Sequence, residues 1–476
     1  SFGGLSTSQV VRLNEWVGRC CTALEGGHQV TDIAFVYPIE SLWPRFVPSR
    51  NWTDDCPADA RRIESAYRGV ANDLFASARD FTYVDSKALI DAEPCEGTLM
   101  HGDLRWRLVV LPCVDTLPLE AWENLARFWR SGGAVIAVGT LPANSEREFP
   151  CARVQELARE VFGEVGTTPH VTTNEAGGAG VYLPGGSEAL VPIVLDAILE
   201  RDVRIAEAVG PIRATHRRID GREVYFVIND GAEPWSGQLA LTAEGPGEQW
   251  NPASGTMTPV ASAEAVDLDL DPYGGALFVF EQARMPRRLQ VEEGTLPGLR
   301  ISPLPVAEPS VSKGEFVQGD LTACEARPEW AGMDVGEAGG ASNAWRAEAT
   351  LTKGEVDTFL FVSFDYAQTL DLSDAACVVV TAWMPEQTAA TRLLVILRDA
   401  KGVDYIASTE AMLNTAGPVQ CLIPRRRFER AGWSHNAEGA LDFAAVSAVR
   451  VGWGGYLGAE GQHIDFTLAP PAVAKK

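Results

Sequence analysis

At 476 residues the chain is longer than one hydrophobic core serves, and at roughly 100 to 200 residues per domain it divides into about three. With 46% hydrophobic and 22% charged residues it has an ordinary globular composition, and no apolar run approaches the ~20 residues that span a bilayer, so no membrane is expected. Asp and Glu total 64 against 40 Lys and Arg, a net charge of −24 whose field repels polyanions, so no nucleic acid is expected either.

The opening "SFGGLSTSQVVRLNEW" has neither an initiator Met nor a charged region followed by an apolar one, and reads as the interior of a longer chain. After the Ser/Thr cluster at Ser6 to Ser8, Leu13, Val17, Cys20 and Leu24 fall at helical spacing, and Gly26-Gly27 ends the helix. The stripe those four residues form asks for a partner. "DIAFVYP" (32–38) is a continuous apolar run of strand length, expected where a strand is covered on both faces.

Strands and helices then alternate. Ile63, Tyr67, Val70 and Leu74 mark a helix, followed by strands at 81–85 and 107–112. A helix from Pro118 to Arg130 comes next, then a strand at 134–139, a helix near Val154 to Phe162, a strand near Val181 to Leu183 and a helix near Glu188 to Leu199. This order predicts a Rossmann-like, doubly wound α/β domain over residues 30–202. From residue 203 the helical period vanishes. "REVYFVIND" and "GQLALTA" flank a turn at Gly231 to Ser236, and "AVDLDLDPYGGALFVFE" supplies further strands, so 203–283 reads as a small β-sandwich. A linker rich in Pro, Arg and Glu (284–312) leads to a second all-β block at 313–472, whose strands are spaced like those of a β jelly roll. The expected fold class is therefore multidomain, α/β plus all-β.

No catalytic residue emerges from the motifs. A nucleophile in the α/β domain would sit on a tight turn after a strand with a His and a carboxylate in reach. "AVIAVGTLPAN" carries no Cys, Ser or His at its end, His170 lacks an acidic neighbour, and Cys113 after "VVLP" has no Gly elbow and reads as a core thiol. "EAGGAGVY" precedes a strand instead of following one, so it is read as a flexible turn and not as a phosphate loop. His28, His101, His216, His435 and His463 lack metal-ligand spacing and read as surface or satisfied core residues. Asn51-Trp52-Thr53 fits a glycosylation sequon. In the C-terminal block Trp383, Trp433, Trp453 and Tyr456 are candidate carbohydrate-binding residues, because an aromatic face stacks on the apolar face of a sugar ring.

As an ordered set these stretches resemble a known architecture. "EWVGRCCTALEGGHQVTDIAFVYPIESLW" resembles the junction, in large bacterial α-L-rhamnosidase-like glycoside hydrolases, where the last barrel helix runs into an accessory α/β domain. Arg19, Leu24, Gly27, Val30, Asp32, Ile33, Ala34, Phe35, Val36, Tyr37 and Pro38 carry that pattern. "FTYVDSKAL", "WRLVVLPCVDTLP" and "FWRSGGAVIAVGTLP" look like the accessory domain, itself similar to a β-galactosidase trimerisation domain and to a glutamine amidotransferase without its triad. "THRRIDGREVYFVINDGAEPW" and "EQWNPASGTMTPV" look like the β-sandwich that follows, so the resemblance covers roughly 8–282. "DLSDAACVVVTAW", "LLVILRDAKGVDY" and "ALDFAAVSAVRVGWGG" resemble a carbohydrate-binding-module jelly roll.

The resemblance implies that residues 1–29 are the terminal helix of a (β/α) barrel that this chain lacks, and that the catalytic carboxylates lie on that barrel. It implies a non-catalytic C-terminal portion of a bacterial glycoside hydrolase, partnered by the catalytic barrel and by polysaccharide or oligosaccharide. A free-standing carbohydrate-binding or scaffolding protein is the alternative, and an amidotransferase-like enzyme using Cys113 a third reading. No cofactor is required. A structural Ca²⁺ held by Asp465 with Glu315 and Asp320 is a candidate, because such jelly rolls hold that ion on oxygen ligands. A periplasmic or secreted setting is implied, with a cytoplasmic one left open.

Overall fold

The computed structural model describes residues 6–48, 57–166, 169–205, 211–291, 299–305, 307, 309–317, 320–322, 331–333, 344–350, 357–385, 391–414, 417–434, 441–455 and 459–475. The chain divides into two units, one of residues 1–165, 170–183 and 191–297, the other of residues 166–169, 184–190 and 298–476. Helices and mixed sheets in the first and β-structure in the second agree with the expected α/β and β-rich composition. The sequon at Asn51, and His435, lie outside the described residues.

The first unit opens on α1 (Thr7–Ala23), where the Ser6 hydroxyl accepts from Gln9 N and the Gln9 side chain accepts from Ser6 N, a reciprocal cap. The helix stops before Gly27, whose φ is +60° and where a Cβ would lie 2.0 Å from the Arg218 carbonyl oxygen. Only glycine fits there. The chain then pairs β1 (His28–Gln29) with a strand of the later β-rich part and enters β2 (Ile33–Val36), every residue of which is buried.

From β2 the chain passes through α2 (Ile39–Leu42) and α3 (Ala58–Ala76) to β3 (Thr82–Val84) and α4 (Ser86–Asp91). A meander of β4 (Glu93–Cys95), β5 (Thr98–His101) and β6 (Leu104–Trp106) intervenes before β7 (Leu108–Pro112). There follow α5 (Leu119–Arg130), β8 (Ala134–Gly139), α6 (Ala152–Phe162), β9 (His170–Thr173), β10 (Ala179–Pro184) and α7 (Val191–Ile198). The sheet order is β3-β2-β7-β8-β10-β9, with β3, β2, β7 and β8 parallel and β9 antiparallel to β10. Both faces are covered. Helices α4, α5 and α6 pack on one another over Ala34, Val36, Val109 and Leu111, and α3 packs with α7 and meets Phe35 through Tyr67. That double cover explains why β2 and β7 read as unbroken apolar runs.

The β-rich part of the first unit has two sheets. One orders β1, β12 (Ile212–Ile219), β13 (Arg222–Asn229), β18 (Gly275–Ala283), β15 (Ala243–Trp250) and β16 (Met257–Val260). The other orders β11 (Val203–Ile205), β14 (Trp235–Leu241) and β17 (Val266–Leu270). Tyr225, Val227, Phe278 and Phe280 meet Leu239, Leu241, Leu268 and Leu270 in one core. The turn after Asn229 joins strands of different sheets, so β13 and β14 cross the core instead of pairing. The expected linker also starts bound: Leu289 N donates to Ile198 O (2.8 Å), and Arg288 to Arg107 O (3.2 Å).

A charged row lies buried in this part. His216 Nδ1 is 3.0 Å from Asp202 Oδ2, its Nε2 is 2.7 Å from Glu223 Oε2, and its ring stacks on Tyr225 at 3.9 Å between centroids. Two carboxylates accept, so both ring nitrogens must donate and the ring is an imidazolium. Burial opposes that charge, but Asp202 and Glu223 outweigh it and push the His216 pKa up to about 9. Glu223 has the opposite balance: burial raises it, while His216 and Arg218 bring it below the ordinary carboxylate value.

The second unit places β19 (Arg300–Pro303), β32 (Ala472–Lys475), β25 (Ala375–Trp383), β31 (His463–Leu468), β23 (Ala344–Thr350) and β22 (Ala331–Met333) in one sheet, with β28 (Val419–Pro424) on β25. The other orders β21 (Asp320–Thr322), β20 (Pro309–Val317), β24 (Asp357–Leu370), β30 (Val446–Gly455), β26 (Leu394–Asp399), β27 (Asp404–Ser408) and β29 (Glu429–Arg430). Pairing is antiparallel, and Leu360, Val362, Phe364, Val378, Val380, Val449 and Phe466 share one core.

The His216 row gives the first unit a pH dependence with a defined sign. A group whose pKa rises on folding contributes fully below its unfolded value, here 6.5, and the contribution disappears as pH climbs through about 9. We expect the melting temperature to fall between pH 6.5 and 9, with on the order of 3 kcal/mol at stake. His216→Gln should flatten that limb in calorimetric scans; an unchanged slope in the variant would assign the fall to other groups.

Candidate functional site

In open α/β sheets ligands bind beyond the carboxyl ends of the strands, where the order reverses. Here that point lies between β2 and β7. Cys113, the first residue past β7, has φ +51° although it is not glycine, so the chain does turn sharply there. The thiol is 1% exposed and packs with Ile63, Ala66 and Leu42.

Polar side chains fill the crevice beyond. Ser41, on α2, is fully buried; its hydroxyl accepts from Asp115 N and Thr116 N (both 3.1 Å) and donates to Thr116 O. Arg45 donates from Nη2 to Asp115 Oδ2 at 2.6 Å and from Nη1 to Ser41 O at 2.6 Å. Thr116 Oγ1 donates to Asp115 Oδ1 (2.8 Å), Asn144 Nδ2 to Thr116 Oγ1 (3.1 Å), and Trp122 Nε1 to Asn144 O (2.9 Å). None of the buried side-chain polar atoms of Ser41, Arg45, Asp115, Thr116 and Asn144 lacks a partner. The arrangement ties three βα loops together; beside Ser41 on α2, Glu40 Oε1 accepts from the Ser86 hydroxyl, while its Oε2 is buried without a partner. The sequence reading missed these residues; the only signal was their position three to nine residues past an apolar strand.

The "EAGGAGVY" segment is pinned rather than loose. Asn174 Oδ1 accepts from Ala176 N (3.0 Å) and Gly178 N (2.9 Å), and its Nδ2 donates to Trp129 O (2.8 Å). Those amides are therefore unavailable to a phosphate.

A second junction involves "WNPASG" (250–255). Asn251 Oδ1 accepts from Ala253 N (2.8 Å) and Ser254 N (3.1 Å), an Asx turn that Gly255 closes at φ +74°. The carbonyls thus turned outward receive Arg19 of α1, whose Nη1 donates to Pro252 O (2.9 Å) and Ala253 O (3.1 Å). Ala23 and Leu24 pack beside Val224, Leu277 and Val279, and Trp16 lies 6.2 Å from the Phe226 ring. Only the C-terminal end of the helix is seated. Val11, Leu13 and Val17 remain 50%, 49% and 43% exposed.

In the second unit the aromatic candidates separate. Trp433 is 58% exposed and anchored by Nε1, which donates to Asp404 Oδ2 at 3.0 Å; Trp383 is half-buried at the end of β25. Trp453 is corrected: at 4% exposure it belongs to the core, because β30 turns it inward with Val449 and Val451, and it offers a sugar no free face. Tyr456 lies outside the described residues. Asp465, 5% exposed, is gripped by the Arg346 guanidinium, whose Nε donates to Oδ1 at 2.8 Å. The backbone places Glu315 and Asp320 on β20 and β21, in the other sheet from Asp465, and their side chains are outside the description. Among the described residues no three His, Cys, Asp or Glu side chains are placed to hold a metal ion, and no helix is long and apolar enough to cross a membrane.

A chain of this build is a glycoside hydrolase-related protein, as comparison with known proteins shows. The family model described as alpha-L-rhamnosidase, glycoside hydrolase family 106, matches residues 7–264, more than half of the chain, and the chain belongs to that family. A rhamnosidase from Novosphingobium sp. PP1Y is similar at 15% identity and a TM-score of 0.40, over 92% of this chain and 41% of that one. The chain thus spans less than half the length of that relative. A beta-galactosidase from Bacillus circulans sp. alkalophilus is similar at 11% identity and a TM-score of 0.39, over 59% of this chain and 46% of that one. A family 11 carbohydrate-binding module from Clostridium thermocellum is similar at 13% identity and a TM-score of 0.26, over 38% of this chain and 95% of that one. The search of curated protein sequences returned no match.

Two substitutions check the packing roles assigned above. Ser41→Ala strands two buried amides, and we expect a loss of about 1 to 3 kcal/mol in denaturant unfolding. Arg19→Ala should speed hydrogen exchange across α1 while the β-sheet amides of β13 and β18 keep their protection; equal protection of α1 in both proteins would remove the clamp role.

Proposed function

We propose that the chain is the non-catalytic C-terminal portion of a bacterial, rhamnosidase-like glycoside hydrolase, which supports the catalytic barrel and carries a carbohydrate-binding surface. In this reading the first unit comprises the barrel's last helix, a Rossmann-like accessory domain and a β-sandwich, and the second unit is a jelly roll. The observation that carries it is the mutually satisfied cluster of Ser41, Arg45, Asp115, Thr116 and Asn144 at the carboxyl edge of β2 and β7, in a chain that belongs to a glycoside hydrolase family. An α/β sheet whose ligand position is filled by its own Arg45, Asp115 and Ser41 is suited to scaffolding. Leu13 and Val17, one turn apart and exposed on a helix whose C-terminal end is clamped to the β-rich part, suit a neighbour that covers them, and the barrel is that neighbour.

For the second unit the reading rests on Trp433, a large exposed ring held in place by Asp404, the combination that lets a flat face meet a sugar without losing side-chain freedom on binding. Trp383 is its companion candidate.

Two measurements test the proposal. The isolated chain should hydrolyse p-nitrophenyl α-L-rhamnoside no faster than buffer, and turnover that survives repurification would overturn the non-catalytic assignment. In affinity electrophoresis through a panel of plant and microbial polysaccharides, at least one gel should retard the protein, and Trp433→Ala should weaken that retardation about tenfold. Equal mobility of the two proteins in every gel would count against the binding surface.

A further inference from the structure

The first unit holds a second polar site that the scaffold reading does not use. At the end of α7, against β11 and β14, lies a cleft of about 230 Å³, room for several waters or a small anion. Arg79, Arg201, Arg204 and Arg284 line it together with Asp196 and Glu200. Four guanidiniums thus meet two carboxylates, in a chain whose net charge is −24.

The bonding shows where the excess charge resides. Arg79 is 5% exposed; its Nη2 donates to Asp196 Oδ1 (2.8 Å) and Leu199 O (2.7 Å) and its Nη1 to Glu200 O (3.1 Å), while Nε is buried with no partner. Arg201 takes the other oxygen of Asp196 (2.8 Å), and Arg284 holds Glu200 with both terminal nitrogens (2.9 and 3.0 Å). Both carboxylates are therefore already shared. Arg204, on β11 opposite Ala240, is exposed, and its side chain makes no hydrogen bond or ion pair with a described residue. The hydroxyl of Thr242 in the lining is turned onto Asp202. What the cleft has left to offer a ligand is guanidinium.

We propose that this cleft binds an oxyanion, the carboxylate, sulfate or phosphate group of a small ligand. A guanidinium fork matches two oxygens of such a group, and charge-assisted bonds of this kind are about twice as strong as neutral ones. The cost of crowding cations into a part-buried space is relieved when an anion enters. Arg204 is the arm with freedom to close on the ligand, while Arg79, Arg201 and Arg284 are held in place by Asp196, Glu200 and the carbonyls around them. The site is independent of the aromatic residues of the second unit and of the assignment as a glycosidase scaffold.

The test uses the full chain in isothermal titration calorimetry with sodium sulfate, sodium phosphate and sodium glucuronate, against sodium chloride at matched ionic strength and against neutral glucose. Saturable binding of at least one oxyanion, absent with chloride and glucose, is expected. Arg204→Ala should weaken it about tenfold, whereas Arg127→Ala, at an exposed arginine on α5, should not change it. A melting temperature of Arg204→Ala in chloride equal to that of the parent reports an intact fold; should it fall, Arg204→Lys, which keeps the charge and loses the fork, replaces it and should weaken binding severalfold. Tighter binding of glucuronate than of sulfate or phosphate identifies a sugar acid as the ligand; the reverse order identifies the free oxyanion. Responses indistinguishable from chloride, or full affinity in the Arg204 variant, would overturn the site.

Discussion

The ion pair between Arg45 and Asp115, seated on the buried hydroxyl of Ser41, closes the place where an α/β sheet of this topology would receive a ligand. Three loops converge there, after β2, β7 and β8, and each would otherwise leave backbone amides and carbonyls without water. By drawing one side chain or carbonyl from each loop, the chain satisfies those groups internally. The consequence for function is direct. A sheet that has used its crevice to hold itself together has a fixed outline, and a fixed outline is what a supporting domain presents to its neighbour.

The same logic runs through the β-rich part that follows. Its outer sheet carries α1, fixed by Arg19 to carbonyls that the Asn251 turn points outward, and its inner region carries His216 between Asp202 and Glu223. Desolvation offsets part of the attraction in buried ion pairs of this kind, and the remainder keeps His216 charged. They also penalise other registers: a one-residue slip between β12 and β13 would part the buried Glu223 from His216 and Arg218. Charge inside the core specifies the arrangement, and the surrounding Tyr225, Phe278 and Phe280 supply the burial that stabilises it.

How much of this was legible in the sequence follows from which interactions are local. The parallel strands were, because a strand covered on both faces must be apolar throughout, as "LVVLP" and "AVIAVG" are. Helix α1 was, since its cap and its Gly stop lie within a few residues of it. The meander of β4 to β6 was not: its strands are three or four residues long and turn at Glu96-Gly97 and Gly102, too short for any period to show. The crevice was not either, because Ser41, Asp115 and Asn144 are far apart in the chain and none belongs to a motif. Nor could the sequence distinguish Trp433 from Trp453. Both sit in aromatic-rich stretches, and only the strand's two-residue alternation, fixed once β30 pairs with β24 and β26, sends Trp453 inward.

Chemistry that is missing from a chain is therefore informative only when the structure shows what occupies its place. An absent nucleophile after β8 says little, since loops diverge. A crevice whose five polar side chains are all engaged with one another says more, because opening it to a substrate would break several buried hydrogen bonds at about 1 to 3 kcal/mol each. That cost separates this crevice from the arginine cleft beside α7, where Arg79 keeps an unused buried donor and Arg204 has no partner among the described residues. One polar cluster holds the fold together, and the other retains capacity to bind.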